Sequence, residues 1–297
     1  MADWPVTIAL PIVLALIMFG LGLALTPADF ARVVRYPRAA VIALTCQLAI
    51  LPVLAFGLVV AVDPDPRLAV GVMLLAAAPG GATANLLSNL FRGDVALNVT
   101  LTAVNSVIAV VTMPLVANLA LAYFAPAGTE QLGLQFTKVV QVFAIVLLPV
   151  GAGMLTRRLA PGFARGADRP VRLVSIGFLA ALSVAAVIAE RADAVAYLVD
   201  IGLVTLLLAA GSLGIGYWAP KAAGVPGPQA IACSMEIGIH NSALAMTIAI
   251  GVLDDLRMAI PAGVYAVVVL PVACAAGVLM SRAPARALPP ARRGERT

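Results

Sequence analysis

Charged side chains are scarce in this sequence of 297 residues. Only 11% of the residues are charged, whereas 62% are hydrophobic and the mean hydropathy is +1.05. A soluble domain carries about 25% charged residues, so the composition excludes a soluble globular protein and predicts an integral membrane protein. The net charge is +5, but most basic residues stand in short gaps between apolar runs. That placement is typical of membrane topology and argues against a nucleic-acid partner.

Histidine and cysteine are almost absent as well. The chain has one histidine, and its three cysteines, Cys46, Cys233 and Cys274, all lie inside apolar runs without disulfide or metal-ligand spacing. A structural zinc site needs more ligands than these residues supply. No phosphate-binding glycine loop or catalytic triad can be assembled either. We therefore predict that the protein is not an enzyme and carries no cofactor.

Long apolar runs are abundant instead. A membrane helix needs about 20 apolar residues to cross the hydrocarbon layer, and nine runs reach that length. They are 6–25, 39–62, 68–91, 95–124, 134–156, 171–189, 195–218, 228–252 and 258–281. The predicted fold class is all-α integral membrane with nine transmembrane helices.

Basic residues concentrate on one side of this predicted topology. When nine helices are threaded, most of the 19 basic residues fall in the same set of connections. The positive-inside rule makes that side cytoplasmic. We therefore expect a multi-pass protein of the inner (plasma) membrane, with its N-terminus outside and its basic tail, residues 282–297, at the cytoplasmic lipid surface.

Two of the nine predicted helices carry features that interrupt a helix. Segment 68–91 contains Pro79, which removes a backbone donor, followed by Gly80 and Gly81, which tolerate unwound geometry. Segment 228–252 has polar groups and a flexible backbone at the same depth, at Glu236, Gly238, His240 and Asn241. We predict that both helices are broken near the middle of the membrane.

The two interrupted segments occupy corresponding positions in two halves of the chain. Helices one to four pair with helices six to nine, and the fifth has no partner. Broken helices are tolerated in a membrane only where they are buried in protein or line a wet cavity. Two of them at matching positions indicate an inverted-repeat transporter with its binding site at the breaks.

Glu236 is the most informative residue of the second interrupted segment. An acidic side chain at the bilayer centre costs about 2.5–3.5 kcal/mol on insertion scales, and the predicted spans hold no Lys or Arg near their centres to pair with it. A bound cation is the natural counter-charge, although a neutral acid held by hydrogen bonds is an alternative. Possible oxygen ligands within the spans are Gln47, Asn85, Asn98, Thr100, Thr102 and Asn105, each of which is alternatively interhelical glue.

The sequence leaves open the roles of His240 and of the helix N-termini that follow the two predicted breaks. His240 lies one turn after Glu236, where it is either a coordinating or proton-accepting group or a neutral hydrogen-bonded one. Helices that restart near Thr83 and Asn241 would present free N–H groups and positive dipole ends, which attract anions. A carboxylate substrate fits that arrangement.

Four stretches of the chain resemble the bile acid:sodium symporter family. The similarity extends from about Ile12 to about Met280 and is specific through the combination of both interrupted motifs. The stretches are Met18–Leu23 with Pro27, Asp29 and Phe30; Ala78–Gly81 with Asn85; Phe91–Leu97; and Glu236–Ser242.

The resemblance implies a core domain, in which two unwound helices cross, and a panel domain. By position, the panel comprises 1–38 (helix 1 and a cytoplasmic linker) and 134–189 (helices 5–6). The core comprises 39–133 (helices 2–4) and 190–281 (helices 7–9). The organic anion would lie in the cleft between the two domains.

The resemblance also implies two sodium sites. The first would use Asn85, Asn98, Thr102 and Glu236. The second would use Gln47, Glu236, the backbone carbonyls of Ile237 and Ile239, and the side chain of His240. Substrate would contact Ala82, Thr83 and Asn241. Three departures, Ala84 for a serine, Asn98 for a hydroxyl residue and His240 for a glutamine, leave the sodium stoichiometry and proton coupling open.

These observations predict a secondary transporter that carries an organic anion inward with sodium by alternating access. The substrate would be bile-acid-like or a small carboxylate such as a keto acid or pantoate. A proton-coupled or efflux permease of the same fold, similar to arsenite or auxin carriers, is an alternative, and an anion-binding membrane sensor is a further one. An intramembrane enzyme that uses Glu236 and His240 is disfavoured, because no nucleophile or metal ligands converge on that pair.

Overall fold

The computed structural model describes residues 31–124, 136–164 and 194–282, with single positions between 12 and 28 and between 166 and 177. Side chains are described from 148 onward in the second range and from 201 onward in the third. The predicted helix 6–25 is covered only at single positions, and most of 171–189 and of the tail 282–297 lies outside the described residues.

The described residues form helices joined by short connections. The helices are α1 (Pro37–Val62), α2 (Pro66–Ala77), α3 (Ala82–Leu90), α4 (Val95–Phe124), α5 (Phe136–Leu159), α6 (Ala194–Ala222), α7 (Gly227–Gly238), α8 (Ser242–Gly251) and α9 (Ile260–Arg282). Short 3₁₀ turns, Arg32–Arg35 and Arg257–Ala259, precede α1 and α9. An isolated antiparallel bridge between Gly80 and His240 is the one β feature of this part of the chain. The predicted all-α class is confirmed.

Several of these helices are long and apolar enough to cross a membrane. Within the described residues they are Pro37–Val62, Ile201–Ala222 and Arg257–Arg282. The two parts of α4 make a fourth span if they are counted together, although they are bent by 54°. Pro114 explains the bend, because it has no N–H for the carbonyl of Val110 one turn earlier. A helical membrane protein is confirmed, and the count of nine stays a prediction.

Both segments predicted to be interrupted are interrupted. Segment 68–91 consists of α2, which ends at Ala77, and α3, which begins at Ala82. Segment 228–252 consists of α7, which ends at Gly238, and α8, which begins at Ser242. The intervening residues, 78–81 and 239–241, are the two breaks.

The glycines at the breaks serve a different purpose from the one expected. Among the described glycines only Gly224 has a positive φ, so Gly80, Gly81 and Gly238 do not provide left-handed backbone. A Cβ atom at Gly80 would overlap the Glu236 carboxylate, and one at Gly238 would overlap Leu213. Close approach of neighbouring atoms, rather than flexibility, is what requires glycine at these two positions.

The first half of each broken helix is buried on all sides. Every residue from Leu68 to Ala77 in α2 is buried, as is every residue from Ala230 to Gly238 in α7. A helix that is apolar all round belongs in a protein interior. Helix α7 packs against α6 on one side and contacts α3 and α4 on others. The two breaks therefore lie inside the protein, away from lipid.

The first predicted helix, where it is described, packs closely against α5. A Cβ atom at Gly22 would overlap the carbonyl of Val150, and one at Gly153 would overlap that of Phe19. The guanidinium of Arg157 donates to the carbonyl of Leu23 at 2.7 Å. These three contacts join the first predicted helix to α5.

Candidate functional site

The two breaks cross and bond to each other through their backbones. Gly80 and His240 form the antiparallel bridge, and the N–H of Asn241 donates to the carbonyl of Pro79 at 2.8 Å. Backbone groups freed at a break must find partners when they are buried. An N–H group freed in the second break is therefore bonded to a carbonyl freed in the first.

Gln47 completes the hydrogen bonding of the first break. Pro79 disfavours helical geometry at the preceding residue, and Ala78 is extended, with φ −70° and ψ 136°. This leaves the carbonyls of Ala76 and Ala78 without helical partners, and Gln47 Nε2 donates to both at 3.1 Å. Gln47 lies on a π-helical turn of α1, Cys46–Ile50, a local widening that is frequent at functional sites.

The Glu236 carboxylate lies fully buried beside this crossing. The side chain is 0% exposed. Thr102 Oγ1 donates to Oε2 at 2.5 Å, and Asn105 Nδ2 donates to Oε1 at 3.3 Å. The backbone of Gly80 provides a further hydrogen bond. Because Gly80 has no side chain, the first break can approach the carboxylate directly.

No basic side chain accompanies this buried acid in the part of the chain that the structure describes. The ion pair recorded there joins Arg67 to Asp255, at the start of α2 and in the loop before α9. The groups bonded to Glu236 are a hydroxyl, an amide and a backbone N–H. These are hydrogen-bond donors without charge, so the carboxylate has no counter-ion among its described neighbours.

Four amide oxygens near the crossing are buried and have no hydrogen-bond partner. The nitrogen end of each amide is already directed at an acceptor: Gln47 at two carbonyls, Asn85 at the carbonyl of Gly81 at 3.5 Å, Asn98 at the carbonyl of Ala232 at 2.7 Å, and Asn105 at the Glu236 carboxylate. Since those partners only accept, the oxygen ends must face elsewhere. The unpartnered oxygens are Gln47 Oε1, Asn85 Oδ1, Asn98 Oδ1 and Asn105 Oδ1.

Unpartnered buried oxygens are costly, and their number here suggests a ligand. Leaving one buried acceptor unsatisfied costs about 1–3 kcal/mol. Amide, hydroxyl and carboxylate oxygens are the ligands that hard cations prefer. No cluster of three or more His, Cys, Asp or Glu residues occurs among the described side chains, so the donor set does not suit a transition metal. It suits a small hard cation next to Glu236.

The second break offers backbone oxygens as well. In an unbroken helix the N–H of Asn241 would satisfy the carbonyl of Ile237, but here it donates to Pro79. Ile239 lies in the break itself, with φ −120° and ψ 83°. Both carbonyls that the sequence singled out therefore belong to residues whose helical pattern is interrupted.

His240 is held at the crossing by its ring. The side chain is 4% exposed, and its Nδ1 lies 3.3 Å from the carbonyl of Ala78. That carbonyl only accepts, so Nδ1 carries the hydrogen, and in the neutral ring Nε2 keeps a lone pair. Nε2 is buried and has no partner. Tyr265 packs against the ring, with centroids 5.4 Å apart, and donates through its hydroxyl to the carbonyl of Gly238.

The predicted substrate residues lie at the starts of the two second-half helices. Asn241 caps α8, where its side chain accepts from the N–H of Leu244 at 3.1 Å. Gly81 caps α3 without a side-chain bond, and Thr83 is exposed in the first turn. The side chain of Ala82 is not among those described. Helix α3 thus begins one residue before the position expected for its restart.

The structure brings most of the predicted cation ligands together. Thr102 contacts both Glu236 and Asn85, at 2.5 Å and 3.5 Å. Thr100, in contrast, donates to the carbonyl of Ala96 within α4, away from this cluster. Two residues outside the two predicted sodium sites also reach the crossing: Asn105, which the sequence offered only as a possible oxygen ligand, and Tyr265. Asn105 stands seven residues after Asn98, a spacing that repeats the same helical face, whereas nothing in the sequence distinguishes Tyr265.

More than half of the chain matches a known protein family. Residues 11–197 match the profile of the Sodium Bile acid symporter family. The matched residues include the first break but end before the second.

Individual relatives match over more of the chain. An uncharacterized sodium-dependent transporter of Bacillus subtilis, YocS, is 30% identical over 86% of this chain and 78% of its own length. A probable chloroplastic sodium/metabolite cotransporter of rice, BASS2, is 27% identical over 90% of this chain and 62% of its own length. The ileal sodium/bile acid cotransporter of rabbit is 25% identical over 80% of this chain and 68% of its own length. These alignments extend beyond the residues matched by the family profile.

Proposed function

This chain belongs to the sodium bile acid symporter family, a family of membrane transporters rather than enzymes, and from that premise we propose that it imports an organic anion together with sodium. The observation that carries the proposal is the buried Glu236 carboxylate, which has no basic partner among the described residues and is surrounded by unpartnered amide oxygens.

Sodium supplies what the crossing lacks. It provides the counter-charge for Glu236, and it coordinates the buried amide oxygens that otherwise have no partner. The first site would be formed by Asn85, Asn98, Thr102 and Glu236. The second would be formed by Gln47, Glu236, the carbonyls of Ile237 and Ile239, and His240. Glu236 belongs to both sites, which makes the two sodium ions dependent on each other.

The substrate is a small organic anion that binds at the N-terminal ends of α3 and α8. Free N–H groups and the positive end of the helix dipole favour a carboxylate at such positions. Ala82, Thr83 and Asn241 would form this surface. The names of the relatives include metabolite and bile acid cotransporters, so a bile-acid-like anion and a small carboxylate such as a keto acid or pantoate are both candidates.

Coupling follows from the shared position of the two ligands. Sodium bound behind the crossing holds the two breaks together, and the same breaks set the positions of the helix ends that receive the anion. Each ligand then raises the affinity of the other, as thermodynamic linkage requires.

The architecture that completes this mechanism is a nine-helix inverted repeat, in which a core domain (39–133 and 190–281) rocks against a panel domain (1–38 and 134–189). The protein lies in the inner membrane of the cell, with its N-terminus outside and residues 282–297 in the cytoplasm. Transport is inward, because sodium enters down its gradient.

Purified protein in liposomes tests the proposal. A thermal-shift screen of carboxylates, with sodium or potassium as the cation, should identify an anion whose stabilisation depends on sodium. Uptake of that anion is then measured under an imposed sodium gradient and, separately, under a proton gradient. Uptake driven by sodium alone is expected. Uptake driven only by protons would favour the alternative permease, and a cation or sugar as the sole stabilising ligand would contradict an anion transporter.

A further inference from the structure

Asn105 lies on the same face of α4 as two residues of the first proposed sodium site. Asn98, Thr102 and Asn105 are spaced i, i+4 and i+7, which aligns them along one helical stripe. All three are buried, and all three reach α7: Asn98 through the carbonyl of Ala232, Thr102 and Asn105 through Glu236. The stripe therefore faces α7 along its whole length, and its last two members contact the carboxylate.

The Asn105 amide has a defined orientation. Its Nδ2 donates to Glu236 Oε1 at 3.3 Å, and a carboxylate oxygen would repel the oxygen end of the amide. Oδ1 is bonded to the same carbon as Nδ2, so it lies close to the carboxylate without touching a donor. It is buried and has no hydrogen-bond partner.

Neighbouring residues do not donate a hydrogen bond to this oxygen. Ser106, the next residue along α4, uses its hydroxyl on the carbonyl of Thr102 at 2.7 Å. Thr102 has a single hydroxyl hydrogen, for which the Glu236 carboxylate and the carbonyl of Asn98 both compete. A residue that serves only as interhelical glue would be expected to satisfy both ends of its amide.

We propose that Asn105 is a ligand of the cation at Glu236, through Oδ1, and that its Nδ2 fixes the position of the Glu236 carboxylate. The proposal rests on the proposed sodium-coupled function and adds a residue to its site. Asn105 thereby extends the oxygen cluster by one further turn of α4, beyond Thr102.

Three variants separate ligation from simple support. Asn105→Leu removes both the oxygen and the donor, while Asn105→Asp keeps an oxygen in the same place, removes the donor and adds a negative charge. Asn105→Ala is a second oxygen-free variant if leucine does not fold. Asn118→Leu is the matched control, because Asn118 lies on the same helix and donates to the carbonyl of Pro114 at 2.7 Å, away from Glu236.

The measurement is thermal stabilisation by sodium chloride alone, titrated at constant ionic strength with choline chloride. We expect Asn105→Leu to raise the half-maximal sodium concentration about tenfold, equivalent to about 1.4 kcal/mol. Asn105→Asp should stay within about threefold of wild type, or bind more tightly, because an added negative charge attracts the cation. Asn118→Leu should match wild type.

Two results would overturn the role of Asn105. One is an unchanged sodium response in Asn105→Leu. The other is an Asn105→Asp variant that is as impaired as Asn105→Leu or more so, which is the result expected of a residue that only donates, since aspartate would then repel Glu236. A wild-type protein that does not respond to sodium would instead contradict the proposed function itself.

Discussion

The two broken helices meet at one crossing but contribute different chemistry to it. The first, α2 and α3, contributes mainly backbone: the carbonyls of Ala76, Ala78 and Pro79 accept hydrogen bonds, and Gly80 makes room for a carboxylate. Its one side chain among the proposed sodium ligands is Asn85, from α3. The second, α7 and α8, contributes side chains as well: Glu236, His240 and Asn241 all come from it.

This difference explains why the breaks look so unlike in sequence. Pro79 forces the first break, and Gly80, which has no side chain, then lets the second helix approach. No proline interrupts the second, whose α7 ends at Gly238 against Leu213. The second break is held open by what it bonds to, namely Pro79, Ala78 and the hydroxyl of Tyr265. A proline thus interrupts the first helix, whereas hydrogen bonds to neighbouring segments hold the second break, which its polar residues mark, in place.

Replacing Gly80 should disturb this arrangement most strongly. In Gly80→Ala the new methyl overlaps the Glu236 carboxylate, and overpacking of this kind costs about 1–3 kcal/mol. We expect a lower melting temperature and loss of sodium-dependent stabilisation. Gly81→Ala is the control, because a Cβ atom there meets only Asn241, at 3.8 Å. Equal effects of the two substitutions would show that close approach is not what requires Gly80.

Removing the Gln47 amide should weaken the first break. In Gln47→Met the carbonyl of Ala76 loses its donor, while that of Ala78 keeps His240. Leaving a buried acceptor unpaired costs about 1–3 kcal/mol. Chemical denaturation in detergent should show this loss of stability even without sodium. Leu48→Met, at the next and more exposed position of the same turn, should have little effect. A Gln47→Met variant as stable as wild type would mean that the first break needs no support from α1.

Removal of the Asn241 cap should have the smallest effect on stability. Asn241→Ala takes away the acceptor for the N–H of Leu244, and loss of such a cap costs about 1 kcal/mol. Asn241→Ser keeps a capping oxygen and should recover most of this loss. If the anion also contacts Asn241, both variants should reduce anion affinity in the thermal-shift assay. Stability restored in Asn241→Ser without any change in anion response in either variant would confine Asn241 to capping.

The positions of the breaks could be predicted because the local sequence determines them. Pro79 and the polar run from Glu236 to Asn241 cannot form uninterrupted membrane helices without a cost that other parts of the protein must offset. The reason for the glycines could not be predicted in the same way. Whether a glycine is needed for a left-handed backbone or for close packing depends on neighbours that are distant in sequence, here Glu236 for Gly80 and Leu213 for Gly238.

The side chains of the site were only partly predictable. Asn98 and Thr102 could be placed together from their helical spacing, and Asn105, named as a possible oxygen ligand, falls on the same face one turn further along. Thr100 was grouped with them by composition but bonds within its own helix. The bonds from Gln47 to Ala76 and Ala78, and from Tyr265 to Gly238, depend on how α1 and α9 pack against the breaks, which no local pattern determines.

The central claim is that the Glu236 carboxylate binds sodium at the crossing. Its most direct test is a sodium titration of thermal stability in wild type and Glu236→Gln, without substrate and with potassium replacing sodium at constant ionic strength. Glutamine keeps the size of the side chain and one acceptor oxygen but removes the negative charge. The account predicts that the melting temperature of wild type rises with sodium, as expected for a ligand that binds only the folded state, and that Glu236→Gln does not respond. A Glu236→Gln protein that sodium stabilises as strongly as wild type would contradict the claim.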